Sequence, residues 1–254
     1  MDGDLIRRFT RDGFVKVPGA FPVGVADECA RLLWHEIGAD PDDPSTWDRP
    51  VHWVAGMAQK PFVEAANTPV LREALDALVG RGRWVPRDSL GSFPLRFPHS
   101  EEPDDAGWHI EGSFRPPGET AWWVNLQSRD RALLMLFLFT DVDEDNAPTR
   151  IRVGSHLDVP NVLRGYGEGG APMFHTGRQV DEASAHRPLA HATGTRGDVY
   201  LCHPFLVHAA QPHHGTRPRF MAQPSLYPAV PFDYDRPEAD LSPVERTICE
   251  ALRQ

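Results

Sequence analysis

Leu133-Leu134-Met135-Leu136-Phe137-Leu138-Phe139 is the stretch on which the fold turns. All seven residues are apolar, and even with Ala132 the run is far too short to span a bilayer. A strand with no polar face is buried on both sides, here between a second sheet and a covering helix. After residue 82, other short strand-like runs alternate with Pro, Gly and Asp clusters: Ser92–Phe97, Trp108–Phe114, Trp122–Gln127, Thr149–Val153, Asp198–Cys202, Phe205–Ala209 and Phe220–Tyr227. Many short strands with turn signals between them predict a sandwich or barrel.

Upstream the pattern is helical. Leu5, Ile6 and Phe9 share a face, with Gly13 as a stop signal; Val25, Cys29, Leu32, Leu33 and Ile37 repeat at helical spacing up to Gly38. Thr68-Pro69 is an N-cap followed by a first-turn proline, and Val70, Leu71, Ala74, Leu75 and Leu78 form the apolar side. At the far end Ser242, Pro243 and Glu245 read as a capping box opening a helix over 242–252. The expectation is a mainly β fold with flanking helices, a jelly roll. It forms one domain over 1–254, with a helical part at 1–80, a jelly-roll core at about 82–230 and a C-terminal helix at 242–252.

The 254 residues suffice for one full core. The formal net charge of −10 makes nucleic acid and anionic membranes poor partners. The three cysteines are widely spaced and form no C-x-x-C, so a disulfide framework or structural zinc site is not expected. No apolar signal segment opens the chain. The expectation is a soluble, cytoplasmic protein.

The 12 histidines carry the chemistry. A mononuclear non-haem iron(II) site takes two imidazoles and one carboxylate on one face, leaving the other open. In an extended strand residues i and i+2 point the same way, so H-x-D or H-x-E can offer two ligands to one ion. With 36 acidic residues, chance alone supplies about one or two such spacings. Three occur. His99/Glu101 enters the acidic loop EEPDD, and His156/Asp158 follows a Gly-Ser turn. His109/Glu111 lies in Gly107-Trp108-His109-Ile110-Glu111-Gly112-Ser113-Phe114, aromatic-flanked and strand-like, and is the preferred pair.

A third ligand has to come from beyond residue 195. His203, His208, His213 and His214 compete; His208 ends a short strand, His213 and His214 lie in a Pro/Gly-bounded turn, and His203 is a possible pocket residue. Eleven residues past His208 stands Arg219, whose planar fork suits the distal carboxylate of 2-oxoglutarate, with Arg217 as rival. Asn125 is a candidate donor to the same cosubstrate from a neighbouring strand. Trp122 and Trp123 are candidate pocket walls, and Arg96, Arg150 and Arg152 candidate contacts for an acidic substrate; core packing and solvation are the ordinary alternatives.

Several of these segments together resemble the phytanoyl-CoA dioxygenase family. They are Asp12-Gly13-Phe14-Val15-Lys16-Val17-Pro18, Trp108-His109-Ile110-Glu111-Gly112, Asp145-Asn146-Ala147-Pro148-Thr149-Arg150 through Gly154-Ser155-His156, and Gly197-Asp198-Val199 leading to His208 and Arg217-Pro218-Arg219. The resemblance implies a double-stranded β-helix (cupin-like) fold, Fe(II), and 2-oxoglutarate and O2 as cosubstrates. It implies His109, Glu111 and His208 as metal ligands, Arg219 as the cosubstrate clamp, and His156 as part of a structural turn. Two positions depart from the family pattern: Glu111 stands where Asp is usual, and Ala210 where a small hydroxyl residue is common. A carboxylate at 111 argues against a halogenase. The expected activity is hydroxylation of an unactivated C–H bond in a small molecule. The competing reading is a metal-binding jelly roll without 2-oxoglutarate turnover, either an isomerase-type enzyme or a non-catalytic binding module.

Overall fold

In a computed structural model that describes residues 2–254, the chain opens with helix α1 (Asp2–Asp12), strand β1 (Phe14–Val17) and helix α2 (Val23–Ile37). Strand β2 (Val51–Met57), helices α3 (Lys60–Ala66) and α4 (Pro69–Val79), and strand β3 (Leu90–Arg96) follow. The central part holds β4 (Trp123–Val124), β5 (Leu133–Leu138), β6 (Arg150–Arg152), α5 (Val159–Arg164), β7 (Ala171–Pro172), α6 (Met173–Ser184) and β8 (Leu189–His191). The chain closes with β9 (Val199–Cys202), β10 (His208–Ala209), β11 (Met221–Ala222), β12 (Ser225–Leu226) and α7 (Pro243–Arg253).

Strand β5 is the axis. It runs antiparallel between β9 on one side and β11 and β12 on the other, with β1 beyond β9. A second sheet has the order β10-β6-β8. The alternating side chains of β5 enter two different cores. Leu133, Met135, Phe137 and Phe139 join the helical layer, where Phe137 and Phe139 meet Phe21, and Phe139 also meets Phe62 of α3. Leu134, Leu136 and Leu138 join Ile151 of β6 and Ala192, between the sheets. The all-apolar run is thus covered by a second sheet on one face and helices on the other. Each such side chain contributes about 1.5–3 kcal/mol by leaving water. The result is a jelly roll with a helical flank.

Local chemistry sets the helix ends. Thr68 Oγ1 accepts from Leu71 N at the start of α4. Ser242 and Glu245 complete the capping box of α7. The fully buried Glu245 also takes two hydrogen bonds, 2.6 and 2.7 Å, from Arg83, tying α7 to the segment after α4.

Several expected strands are shorter or absent, for stated reasons. Trp108–Phe114 makes only isolated bridges at His109 and Phe114. Phe205–Ala209 shrinks to two residues because Leu206 N donates to His203 O in a turn and Val207 N to Ser155 Oγ. Phe220–Tyr227 divides at Pro224, where Gln223 N crosses to Ser92 O on β3. Strand β2 and helices α3 and α6 were not anticipated. Strand β2 shows no period-2 burial, α3 is only seven residues long, and the buried positions of α6 are Thr176, Val180 and Ser184, two of them polar. No helix among the described residues is long and apolar enough to cross a membrane.

Candidate metal centre

His109 and His208 face each other across a bridge in which each backbone N donates to the other's carbonyl at 3.0 Å. Their rings stand 4.6 Å apart. The Nδ1 atom of His109 meets Gly107 O at 2.8 Å, and that of His208 meets Leu206 O at 3.0 Å. A carbonyl only accepts, so in both rings Nδ1 carries the proton and Nε2 keeps its lone pair. Glu111, two residues beyond His109, puts Oε1 3.9 Å from His109 Nε2 and 3.5 Å from His208 Nε2. The donor atoms of all three lie within 4.8 Å of one another. His208 Nε2 is buried with no hydrogen-bond partner, which is costly unless something takes its lone pair. Two neutral imidazoles and a carboxylate, arranged in this way, fit a divalent transition-metal ion.

Burial alone would raise the Glu111 carboxyl, but the facing His208, the Arg131 guanidinium and His109 hold it well below the usual carboxylate range. Burial, reinforced by His208, lowers His109 and keeps it neutral. Arg131 escaped the sequence reading. It is buried, donates to Gly112 O through Nε and Nη2 (3.2 and 2.9 Å), and stands 3.8 Å from Glu111 Oε2. Gly112 is required beside it, since a Cβ there would lie 2.4 Å from Trp122 Cβ.

The three donors line a cavity of about 610 Å³ with Arg96, Thr149 and Ala210 among its walls. A larger surface cleft of about 950 Å³, beside α2 and Arg217, holds none of them and has no comparable donor set. Arg219 is fully buried and does not itself line the first cavity. Its Nη1 donates to Ala147 O (2.6 Å) and its Nη2 to Pro94 O (3.2 Å), while Nε has no partner. It bridges to Arg96, whose Nη2 donates to Asp105 Oδ2 at 2.5 Å and whose Nε and Nη1 are buried without partners. Burial and the Arg96 charge push the Arg219 pKa well below its ordinary value.

Other expected site residues fall elsewhere. Asn125 Nδ2 donates to Glu168 O at 2.9 Å, holding the loop before β7, and Asn125 is not among the residues that line the cavity. His203 is enclosed, accepting from Phe205 N and contacting Thr247 of α7, so it is not a pocket residue. Trp123 is likewise no part of the cavity wall, whereas Trp122 lines an adjoining chamber. Arg150 and Arg152 stack on Trp108 at 4.9 and 4.3 Å and are bound by Ala210 O and Asp181, respectively. Arg217 is exposed and pairs with Asp143. Of the rejected H-x-[DE] pairs, His99 accepts from Glu101 N in an exposed loop. His156 is buried against Thr10 O while Asp158 binds Arg187.

A jelly roll with two imidazoles and one carboxylate at its cavity has the architecture of a mononuclear non-haem metalloenzyme. The family model for phytanoyl-CoA dioxygenase (PhyH) matches residues 9–221. The chain belongs to the phytanoyl-CoA dioxygenase family, and with it to the iron(II)- and 2-oxoglutarate-dependent enzymes. Among solved structures, the epimerase SnoN in complex with Fe3+, alpha ketoglutarate and nogalamycin RO is similar at a TM-score of 0.59 and 17% identity, covering 89% of this chain and 83% of SnoN. HygX from Streptomyces hygroscopicus with nickel and 2-oxoglutarate bound gives 0.57 and 16%, covering 89% and 87%. EctD from S. alaskensis with 2-oxoglutarate and 5-hydroxyectoine gives 0.56 and 17%, covering 91% and 77%. At such identities the likeness is one of fold. No curated protein matches the sequence.

Proposed function

We propose that His109, Glu111 and His208 hold one iron(II), that the Arg96–Arg219 pair receives the distal carboxylate of 2-oxoglutarate, and that the enzyme hydroxylates an unactivated C–H bond of a small molecule. The observation that carries this reading is the pair of Nε2 lone pairs, freed by backbone carbonyls and facing one carboxylate. Bound iron supplies the coupling of O2 activation and oxidative decarboxylation of 2-oxoglutarate, giving succinate and carbon dioxide, to substrate oxidation. The chain's own contribution is positioning. Gly107 and Leu206 carbonyls fix both imidazole tautomers, and Arg131 orients the Glu111 segment through Gly112 O. Three unpartnered N–H groups on Arg96 and Arg219 create a buried demand for an acceptor, which a dicarboxylate meets.

The same reading takes 1–254 as one catalytic unit, since one core cluster contains residues from Phe9 to Ile248. A reducing cytoplasm suits its three buried, free cysteines, and neither nucleic acid nor membrane is an expected partner.

SnoN and the carbocyclase SnoK, also similar in fold, are described as an epimerase and a carbocyclase, so reaction outcome needs its own test. Under 18O2, with iron(II), 2-oxoglutarate and a turned-over substrate, hydroxylation puts one labelled oxygen in the product and one in succinate. Labelled succinate beside an unlabelled product assigns desaturation, epimerisation or ring closure instead. No iron-dependent succinate at all returns the protein to the class of jelly rolls without 2-oxoglutarate turnover.

A further inference from the structure

A second chamber of about 430 Å³ adjoins the first, and Trp53, Glu111 and Gln223 line both. Its charges differ from those of its neighbour. In the first cavity Arg96 is tied to Asp105, Arg178 to Glu182, and Asp181 to Arg152. Among the described residues lining the second, the charged side chains are Arg87, Arg131 and Glu111 alone. In a chain of net charge −10, that is a local excess of one positive charge.

Both guanidinium groups are fixed in place. Arg87 donates through Nε to Ser89 O (2.9 Å) and through Nη1 to Ser225 O (2.6 Å), with its Cζ 4.9 Å from the Tyr227 ring centre. Arg131 is only 7% exposed, and its Nη1 is buried with no partner. The walls add exposed aromatic surface: Trp53 is 59% and Trp122 44% exposed. Large aromatic side chains left in water beside a polar cleft mark ligand surfaces.

We infer that this chamber seats the primary substrate, and that the substrate is an organic monocarboxylate with a flat apolar body. The carboxylate lies on Arg87 and Arg131, and the body lies against Trp53 and Trp122. The guanidinium nitrogens that no hydrogen bond engages are Arg87 Nη2 and Arg131 Nη1, one donor for each carboxylate oxygen. Because Glu111 borders both chambers, a substrate anchored there presents its carbon skeleton to the triad. The inference rests on the proposed oxygenase reading for which carbon reacts, but not for what binds.

The test is calorimetric titration of benzoate, indole-3-acetate and 2-naphthoate, each against its neutral carboxamide. It is run on metal-free protein and on protein loaded with Mn(II) and 2-oxoglutarate. At least one acid is expected to bind about ten-fold or more tighter than its amide. Arg87→Met should erase that preference and Arg87→Lys retain part of it, with neither changing 2-oxoglutarate affinity; Arg219→Met should weaken 2-oxoglutarate and leave the preference intact. Acids no tighter than amides throughout, or a preference that survives Arg87→Met in folded protein, overturns the inference. Failure of 2-oxoglutarate to bind loaded protein strikes the oxygenase reading instead, because the acid–amide comparison in metal-free protein stands apart from it.

Discussion

At the scale of single residues, the site depends on carbonyls that set imidazole tautomers and on a glycine, Gly112, that lets Trp122 pack against the backbone next to Glu111. Gly112→Ala forces a Cβ to within 2.4 Å of Trp122 Cβ, so either the 109–113 segment or Trp122 moves. The expected outcome is a loss of about 1–3 kcal/mol by chemical denaturation together with weaker metal binding by calorimetry. Arg219→Met removes a buried charge that faces Arg96, and KM for 2-oxoglutarate should rise about 30-fold or more, as for loss of one partner from a buried charge pair; an unchanged KM would assign the anion to Arg96 alone. The grouping of His109, Glu111 and His208 was legible: strand-like, aromatic context separates His109/Glu111 from two loop- or turn-bound pairs, and His208 differs from its rival histidines in ending a short strand. Arg131 was not legible: it lies 20 positions from Glu111 in a polar loop, and only the fold joins them. A buried amide in a strand pattern, such as Asn125, reads the same whether it faces a ligand or a loop carbonyl, here that of Glu168.

Among the elements, β5 was the clearest in sequence, since a strand without a polar face has few places to go. Helix α6 was the least clear, because Thr176 and Ser184 bury polar atoms on its inner face. Helix α1 rests on His156, whose Nε2 donates to Thr10 O in a fully buried setting beside His203. Burial, partly opposed by the Thr10 bond, lowers the His156 pKa from 6.5 to about 4. The folded-state value lies below the unfolded one, so its contribution is complete above pH 6.5 and is lost as pH falls through about 4, a change of about 3 kcal/mol. Urea midpoints should therefore decline from pH 7 to 4 in wild type and less steeply in His156→Gln; parallel declines would contradict this. Glu245 acts lower on the scale. Burial raises it, but Arg83 and Ser242 bring it down to about 2, so its share is lost only between pH 4.5 and about 2. Arg83→Ala removes two charge-assisted hydrogen bonds but leaves Glu245 its bonds from Ser242 and Asp233 and Arg236 at 4.0 Å, and should cost about 1.5–3 kcal/mol in a denaturation experiment at pH 7.

For the whole molecule, two cores lie on either face of β5, and the fold is similar to those of SnoN, HygX and EctD at 16–17% identity. In this chain β5 alternates between helical and inter-sheet cores, and a backbone bridge sets His109 against His208. The central claim is that these two imidazoles and Glu111 act on one metal ion. Anaerobic addition of iron(II) and 2-oxoglutarate, followed in the visible spectrum, tests it most directly. The account predicts a weak charge-transfer band of the iron–cosubstrate chelate in wild type that disappears in folded His208→Ala and Glu111→Ala proteins. No band in wild type, or a band undiminished in both variants, would contradict it.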